Sequence, residues 1–149
     1  MRTPALIAFT LAVAVCAEAG ATDRVFHRDP SLPAGLPFSA AVVVGDTIYL
    51  SGQIGLAAQG SDDAANDIAS QTRRIFERYK ITLTELGSGL EDIVKCTVFL
   101  DDMNDYAAMN TAYAAVFPGD KPARSTTGVD GLAFGAAVEI ECLAIKKTK

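Results

Sequence analysis

The chain has 149 residues, of which 50% are hydrophobic, and its formal net charge is -5. This length fits one compact domain, and the apolar content leaves room for an additional apolar segment. A negative net charge repels phosphate backbones, and the basic residues form no stripe interleaved with aromatic residues. Nucleic acid is therefore not an expected partner.

The first 21 residues have the pattern of a secretory signal peptide. Residues 1–3 form a short segment with the positive charge of Arg2, and residues 6–15 are apolar. The small residues that follow allow cleavage after Ala19 or Ala21. An apolar segment of about ten residues is too short to span a bilayer about 30 Å thick at about 1.5 Å per residue. We therefore expect residues 22–149 to form the mature domain, which would be periplasmic or secreted and not membrane-bound.

The domain's predicted elements follow the order ββαβαββ. Residues 22–37 are rich in proline, glycine and charge, which predicts an irregular extended lead-in. Two β-branched runs separated by Gly45-Asp46 predict a β-hairpin over residues 39–44 and 47–51. Apolar periodicity and end signals then predict helices over 62–86 and from a cap at Asn104 to Phe117, and strands over 93–100, 124–129 and 137–145. Charged residues of the first helix are interpreted as its solvated face.

One face of the predicted sheet has no cover, because two helices can bury only one face. The strand over residues 93–100 is largely apolar on both sides. The last strand places Val138 and Ile140 on one face and Glu139 and Glu141 on the other. Self-association is the expected way to bury the second face, which would put Glu139 at or near a subunit interface.

The glycines of Gly52-Gln53-Ile54-Gly55 follow directly after the predicted hairpin. Glycines at such a place can expose backbone N–H groups to a ligand without side-chain obstruction. An ordinary turn that ends the strand is the alternative interpretation.

The histidine and cysteine content excludes several kinds of site. His27 is the only histidine, and no Cys-x-x-Cys spacing occurs, so neither a zinc site nor a histidine-dependent triad can be assembled. Cys96 and Cys142 lie in apolar, strand-like runs and either form a disulfide in an exported protein or remain two buried thiols. Any chemistry must then use arginine, glutamate, hydroxyls, backbone groups and water.

Arg124 and Glu139 are the candidate chemical groups. Arg124 follows a proline-led turn, and its planar guanidinium suits a substrate carboxylate in two parallel hydrogen bonds. Glu139 lies in an otherwise apolar run, where a carboxylate can take a proton from water and return it to a leaving amine. Together they suit hydrolysis of a small acid with a polarised double bond. The alternative is a structural ion pair between adjacent strands.

Five short motifs occur in order over nearly all of the predicted domain. They are Ser51-Gly52-Gln53-Ile54, residues 93–100, Met103-Asn104-Asp105-Tyr106 with Asn110 and Tyr113, Pro122-Ala123-Arg124-Ser125, and Val138-Glu139-Ile140-Glu141. These motifs resemble the Rid family, also called YjgF/YER057c/UK114, of imine and enamine deaminases. The resemblance implies a chorismate-mutase-like α+β fold with two helices on one face of a single mixed sheet. It also implies a homotrimer with a site at each subunit interface.

The same resemblance implies residue roles. Arg124 would bind the substrate carboxylate, and Glu139 would position and activate the hydrolytic water. Gly52 would lend backbone contacts, and Asn110 matches the asparagine of the family's second helix. The implied reaction converts a 2-imino acid and water into a 2-oxo acid and ammonia, with no cofactor and no metal.

Two pocket positions depart from the family's best-known deaminases. Phe38 replaces a tyrosine, which keeps an apolar wall but loses a hydroxyl, and Thr126 replaces a cysteine with another small polar group. These departures bear on the identity of the substrate.

The expected protein is an exported homotrimer that deaminates 2-imino acids, of the 2-iminobutanoate/2-iminopropanoate deaminase type. An alternative is a non-catalytic protein that binds small carboxylates in the same interface pocket, or a holdase acting through its apolar surface. Ribonuclease activity has been associated with the family, but the acidic charge balance argues against it.

Overall fold

The computed structural model describes residues 23–29, 35–57 and 66–147, so the predicted signal peptide lies outside the described residues. A six-stranded sheet has the strand order β1-β2-β3-β6-β4-β5. Only the β4–β5 pair is parallel among the strand pairs of this sheet. The strands are β1 Arg24–His27, β2 Ala41–Val44, β3 Thr47–Ile54, β4 Ile93–Leu100, β5 Ala123–Gly128 and β6 Val138–Ile145, and the helices are α1 Ile68–Glu85 and α2 Tyr106–Val116.

Both helices pack on one face of the sheet. The ring of Phe76 on α1 meets the rings of Tyr113 and Phe117 edge-on, with centroids 5.3 and 5.2 Å apart. Alternate strand residues such as Ile48 and Ile140 are buried beneath the helices. The predicted α+β class, with a mixed sheet and two helices on one face, is confirmed.

The lead-in contains a strand that the sequence did not predict. Arg24–His27 forms β1, antiparallel to β2 with Phe26 opposite Val42, and the sheet therefore has six strands instead of five. His27 Nε2 lies 2.9 Å from Glu85 Oε2, which ties β1 to the end of α1. The segment's residues are mostly exposed, so apolar alternation gave no signal, and backbone pairing with β2 decides its conformation.

Side-chain caps set the helix starts differently from the prediction. The Asp67 carboxylate accepts a hydrogen bond from the backbone N–H of Ser70 at 3.0 Å, so α1 begins at Ile68. Asn104 does not cap α2. Its N–H instead donates to the Asp102 carboxylate within the short 3-10 helix Met103–Asp105, which leads into α2.

Two β-bulges make the observed strands differ from the predicted ones. The β4–β6 register shifts between Ile93 and Lys95, so Ile93 is buried and Val94 is 46% exposed. The β3–β6 register shifts between Leu50 and Gln53, and β3 continues to Ile54 instead of ending at a turn.

Cys96 and Cys142 form a disulfide with an S–S distance of 2.01 Å. They lie directly opposite each other on β4 and β6, and both are buried. Of the two interpretations left open by the sequence, pairing is the one that the structure shows. Within the described residues, the helices are too short or too polar to cross a membrane.

Candidate functional site

Glu139 lies on the sheet face that the helices leave open. Along β6, Val138, Ile140, Cys142 and Ala144 are buried and alternate with the more exposed Glu139, Glu141, Leu143 and Ile145. Glu139 is flanked by Ile54 of β3 and Phe99 of β4. The predicted alternation of this strand is confirmed.

Gly52 packs directly against the Glu139 carboxylate. A Cβ atom built on Gly52 would lie 2.1 Å from Glu139 Oε1. Glycine is thus required here for close approach, and the carboxylate lies over exposed backbone. Phe38 precedes Ser39, whose carbonyl accepts a hydrogen bond from the Ser51 hydroxyl at 2.6 Å, and Phe38 is 54% exposed. We call Phe38, Gly52 and Glu139 the glutamate half-site.

Helix α1 fixes the bulge that carries Gly52. The Tyr79 hydroxyl lies against the carbonyls of Ser51, at 2.9 Å, and Ile140. Burial, and then the charges of Glu141 and Glu139, raise the pKa of Tyr79 well above its ordinary value, so the hydroxyl remains a donor. The bulge and the strand beneath Glu139 are thereby linked to one buried side chain.

Arginines of α1 also bind the end of β3. Arg78 donates to the carbonyl of Ile54 and, at 2.8 Å, to that of Leu56. Arg74 donates to the carbonyl of Gly55. The interpretation of these charges as a purely solvated helix face is therefore wrong for Arg74 and Arg78.

Arg124 lies on the opposite side of the sheet, against α2. Its Nη2 donates to Asn110 Oδ1 at 2.5 Å, and its Nη1 lies 3.7 Å from the sulfur of Met109. Its guanidinium carbon is 4.6 Å from the centroid of the Tyr113 ring and 5.8 Å from that of Tyr106. These contacts orient the cation without neutralising it.

A cavity of about 360 Å³ adjoins the guanidinium. Its lining residues are Asn110, Tyr113, Ala114, Lys121, Pro122 and Arg124. Thr126 lies two residues beyond Arg124, on the same face of β5, but it does not line the cavity. Its Oγ1 is buried and has no hydrogen-bond partner in the described part of the chain. We call Asn110, Arg124 and Thr126 the arginine half-site.

The two half-sites do not meet within one chain. Arg124 is paired with Cys96 and points toward the helices, whereas Glu139 is flanked by Phe99 and points away from them. Strand β4 separates β5 from β6, so the two backbones are about 10 Å apart. No ion pair joins Arg124 to Glu139 among the described residues, and the adjacent-strand ion pair considered from the sequence is wrong.

A family model described as Endoribonuclease L-PSP matches residues 30–146. The chain belongs to the endoribonuclease L-PSP family. A RutC family protein of Pyrococcus abyssi is 38% identical over 127 residues, which cover 85% of this chain and 99% of that protein. A protein of Dermatophagoides farinae named 2-iminobutanoate/2-iminopropanoate deaminase is 37% identical over 109 residues, covering 73% of this chain and 85% of its own.

Solved structures of the endoribonuclease L-PSP family share the fold. The crystal structure of the YjgF gene product of E. coli matches with a TM-score of 0.73 and 32% identity, covering 83% of this chain and 99% of that one. The resemblance to the Rid family that the five motifs carried is thus confirmed.

Sequence reasoning missed residues that hold the half-sites in place. Gln71 is 2% exposed, donates to the Asn66 carbonyl at 2.7 Å and accepts from the Ala137 N–H at 3.0 Å, two residues before Glu139. Tyr79 was predicted only as part of an apolar helix stripe. A buried glutamine or tyrosine on an apolar helix face indicates that its polar group has a hydrogen-bond partner. Only the fold shows which residue that partner is.

Proposed function

We propose that this protein hydrolyses 2-imino acids to 2-oxo acids and ammonia. The observation that carries the proposal is the Arg124 guanidinium, held by Asn110 and Tyr113 at a cavity and without an acidic partner among the described residues. A cation presented in this way suits the carboxylate of a small substrate. The deaminase named among the relatives supports the assignment of the reaction.

The active unit is a homotrimer in which each site combines half-sites from two copies. Strand β5 is an edge strand and Arg124 is partly exposed, so a second molecule can reach its guanidinium. The open sheet face carries the exposed apolar residues Tyr49, Val94 and Ile145, which association would bury. The choice of a trimer over another oligomer rests on the resemblance to the Rid family.

The reaction follows from these positions. Arg124 holds the substrate carboxylate, and Glu139 of a second copy takes a proton from water as the water oxygen attacks the imine carbon. The resulting carbinolamine receives that proton on nitrogen from Glu139. Glu139 next takes the proton of the carbinolamine hydroxyl and passes it to the nitrogen as the C=O bond forms and the C–N bond breaks. Ammonia leaves, the 2-oxo acid remains, and the carboxylate ends in its starting state. The close Gly52–Glu139 contact keeps the carboxylate at the bulge.

Export is part of the proposal. The N-terminal pattern supports cleavage after Ala19 or Ala21 and a periplasmic or secreted domain of residues 22–149. The Cys96–Cys142 disulfide also supports it, because disulfides persist mainly in oxidising compartments.

The test is ammonia release from 2-imino acids that an amino acid oxidase generates in situ from alanine and 2-aminobutanoate. Arg124→Ala should lower kcat/KM by about 100-fold, because it removes a charge-assisted bidentate anchor. Arg73→Ala is the matched control, since Arg73 is exposed and donates to Ser70 on its own helix. Full activity of Arg124→Ala would contradict the assigned role.

The competing functions give different results in the same preparation. A carboxylate-binding protein would bind 2-oxo acids through Arg124 and turn over no imine. A holdase would suppress aggregation of a client protein, and Arg124→Ala would leave that effect intact. A ribonuclease would cut RNA and lose that activity in Arg124→Ala.

A further inference from the structure

The cavity beside Arg124 contains a second cation. Lys121 and Arg124 both line it, and neither forms an ion pair with an acidic group in the described ranges, although the chain carries a net charge of -5. The Lys121 ammonium donates to the Gly119 carbonyl at 3.2 Å and is exposed. An ammonium has three donor protons, so this single contact leaves it able to bind another acceptor.

The other polar groups of the cavity are also donors. Tyr113 is 4% exposed, and its hydroxyl has no hydrogen-bond partner in the part of the chain that the structure describes. Burial raises the pKa of Tyr113 to about 12, although the nearby charge of Arg124 partly lowers it, so the hydroxyl is protonated at neutral pH. Asn110 uses its oxygen to accept from Arg124, which leaves its NH₂ group to donate.

The backbone brings the two cations to the cavity in a constrained arrangement. Pro122 lies between Lys121 and Arg124 in the motif and itself lines the cavity. Proline fixes its own φ and restricts the residue before it to extended conformations, so Lys121 loses little backbone freedom when a ligand binds. Two cations and two neutral donors exceed what one carboxylate requires.

We propose that this site takes 2-imino acids that carry a second carboxylate, the imines of aspartate and glutamate, with the α-carboxylate on Arg124 and the side-chain carboxylate on Lys121. The reaction rests on the proposed function: 2-iminoglutarate and water give 2-oxoglutarate and ammonia, and 2-iminosuccinate and water give oxaloacetate and ammonia. Lys121 is in this assignment a specificity residue that contacts substrate but takes no part in proton transfer.

Binding measured by calorimetry tests the assignment without requiring turnover. The probes are 2-oxoglutarate, which has two carboxylates, and 2-oxobutanoate, which has one. The wild-type protein should bind 2-oxoglutarate at least about tenfold more tightly, because a hydrogen bond to a charged group is added. Lys121→Gln should abolish that preference, and Lys121→Arg, which keeps the charge, should retain most of it. Lys80→Gln, at an exposed lysine of α1 outside this cavity, is the control and should bind both probes as the wild type does.

Turnover of the corresponding imines separates this inference from the proposed function. The ratio of kcat/KM for 2-iminoglutarate to that for 2-iminobutanoate should fall about tenfold in Lys121→Gln. If the wild type turns over 2-imino acids with one carboxylate but shows no preference for a second carboxylate in binding, the deaminase function stands and the specificity assignment is wrong. If no imine is turned over but 2-oxoglutarate binds through Lys121, the deaminase function is wrong and the dicarboxylate site stands.

Discussion

Gly52 and Gly55 lie three residues apart, yet the missing side chain has a different role at each position. A Cβ on Gly52 would meet the terminal oxygen of Glu139, which can rotate away. A Cβ on Gly55 would lie 2.0 Å from the backbone oxygen of Gln71, which is held within α1. The first glycine therefore shapes the half-site, and the second permits the close approach of β3 to the helix.

Alanine substitutions should separate these roles. Gly52→Ala should lower imine turnover by about 100-fold, since it displaces the Glu139 carboxylate by more than 1 Å, while the free energy of unfolding changes little. Gly55→Ala should lower the free energy of unfolding by about 1–3 kcal/mol through overpacking. Steady-state kinetics and urea unfolding measure the two effects. Gly119→Ala is the control, because a Cβ there meets no atom within 4 Å. Unchanged turnover in Gly52→Ala would contradict the role of Glu139.

At the residue scale, sequence reasoning named candidate site residues where a motif carried the signal. Gly52, Asn110 and Arg124 were predicted because they recur in a recognisable pattern. The contact between Arg124 and Asn110 joins two of them. The roles of the Tyr79 hydroxyl and the Lys121 ammonium could not be predicted, because the bulge and the cavity that they contact are created by long-range packing.

At the scale of elements, α1 acts as a tether for the irregular part of β3. Tyr79 is 1% exposed and links the carbonyls of Ser51 and Ile140 across the bulge. Arg78 holds the strand end just beyond it. A bulge leaves backbone groups without their ladder partners, so an outside donor stabilises it.

Tyr79→Phe should therefore reduce both stability and turnover. It removes the single hydroxyl proton that the part-buried Ser51 carbonyl and the buried Ile140 carbonyl share, which costs about 1–3 kcal/mol in the free energy of unfolding. Looser placement of Gly52 should lower kcat more than it raises KM, because the water-activating half-site is affected. Urea unfolding and kinetics check this. Lys80→Gln, at the exposed residue next to Tyr79 on α1, is the control and should leave stability within about 0.5 kcal/mol of the wild type.

The pairing of β4 with β6 has a covalent component. The Cys96–Cys142 disulfide closes a loop with a sequence separation of 46. On a chain-entropy model this constraint of the unfolded state is worth roughly 4 kcal/mol. The double variant Cys96→Ala/Cys142→Ala should thus lower the free energy of unfolding by about 2–4 kcal/mol in urea. Wild-type protein unfolded with a reductant present should show the same loss, and equal stability with and without reductant would contradict a stabilising role.

Element types were largely predictable and their details were not. The order of hairpin, helices and later strands followed from periodicity and from turn residues. Strand β1 was missed because its exposed residues show no alternation, and the bulge at Val94 was missed because a register shift depends on the neighbouring strand.

At the scale of the whole molecule, the opposed half-sites imply a specific rescue experiment. In the proposed trimer, Arg124→Ala and Glu139→Gln should each disable every site when either variant assembles alone. When the two variants are co-expressed, a site is intact if Arg124 comes from one variant and Glu139 from the other, which random assembly gives in about one site in four. Turnover per trimer should recover to about that fraction of wild type. Absence of recovery in confirmed mixed trimers would place both residues' function within one chain.

The position of β6 has a consequence for the order of events during synthesis. It is the last described strand along the chain, yet it lies in the interior of the sheet, between β3 and β4. Until the ribosome has passed residue 145, β3 and β4 each lack the neighbouring strand β6. Cys96 cannot form its disulfide before Cys142 has been synthesised. Such non-local strand pairing is slow to form. The nascent chain therefore cannot complete its sheet early. A chain bound for export would stay incompletely folded, and so able to pass through a translocation channel, until its final strand emerges.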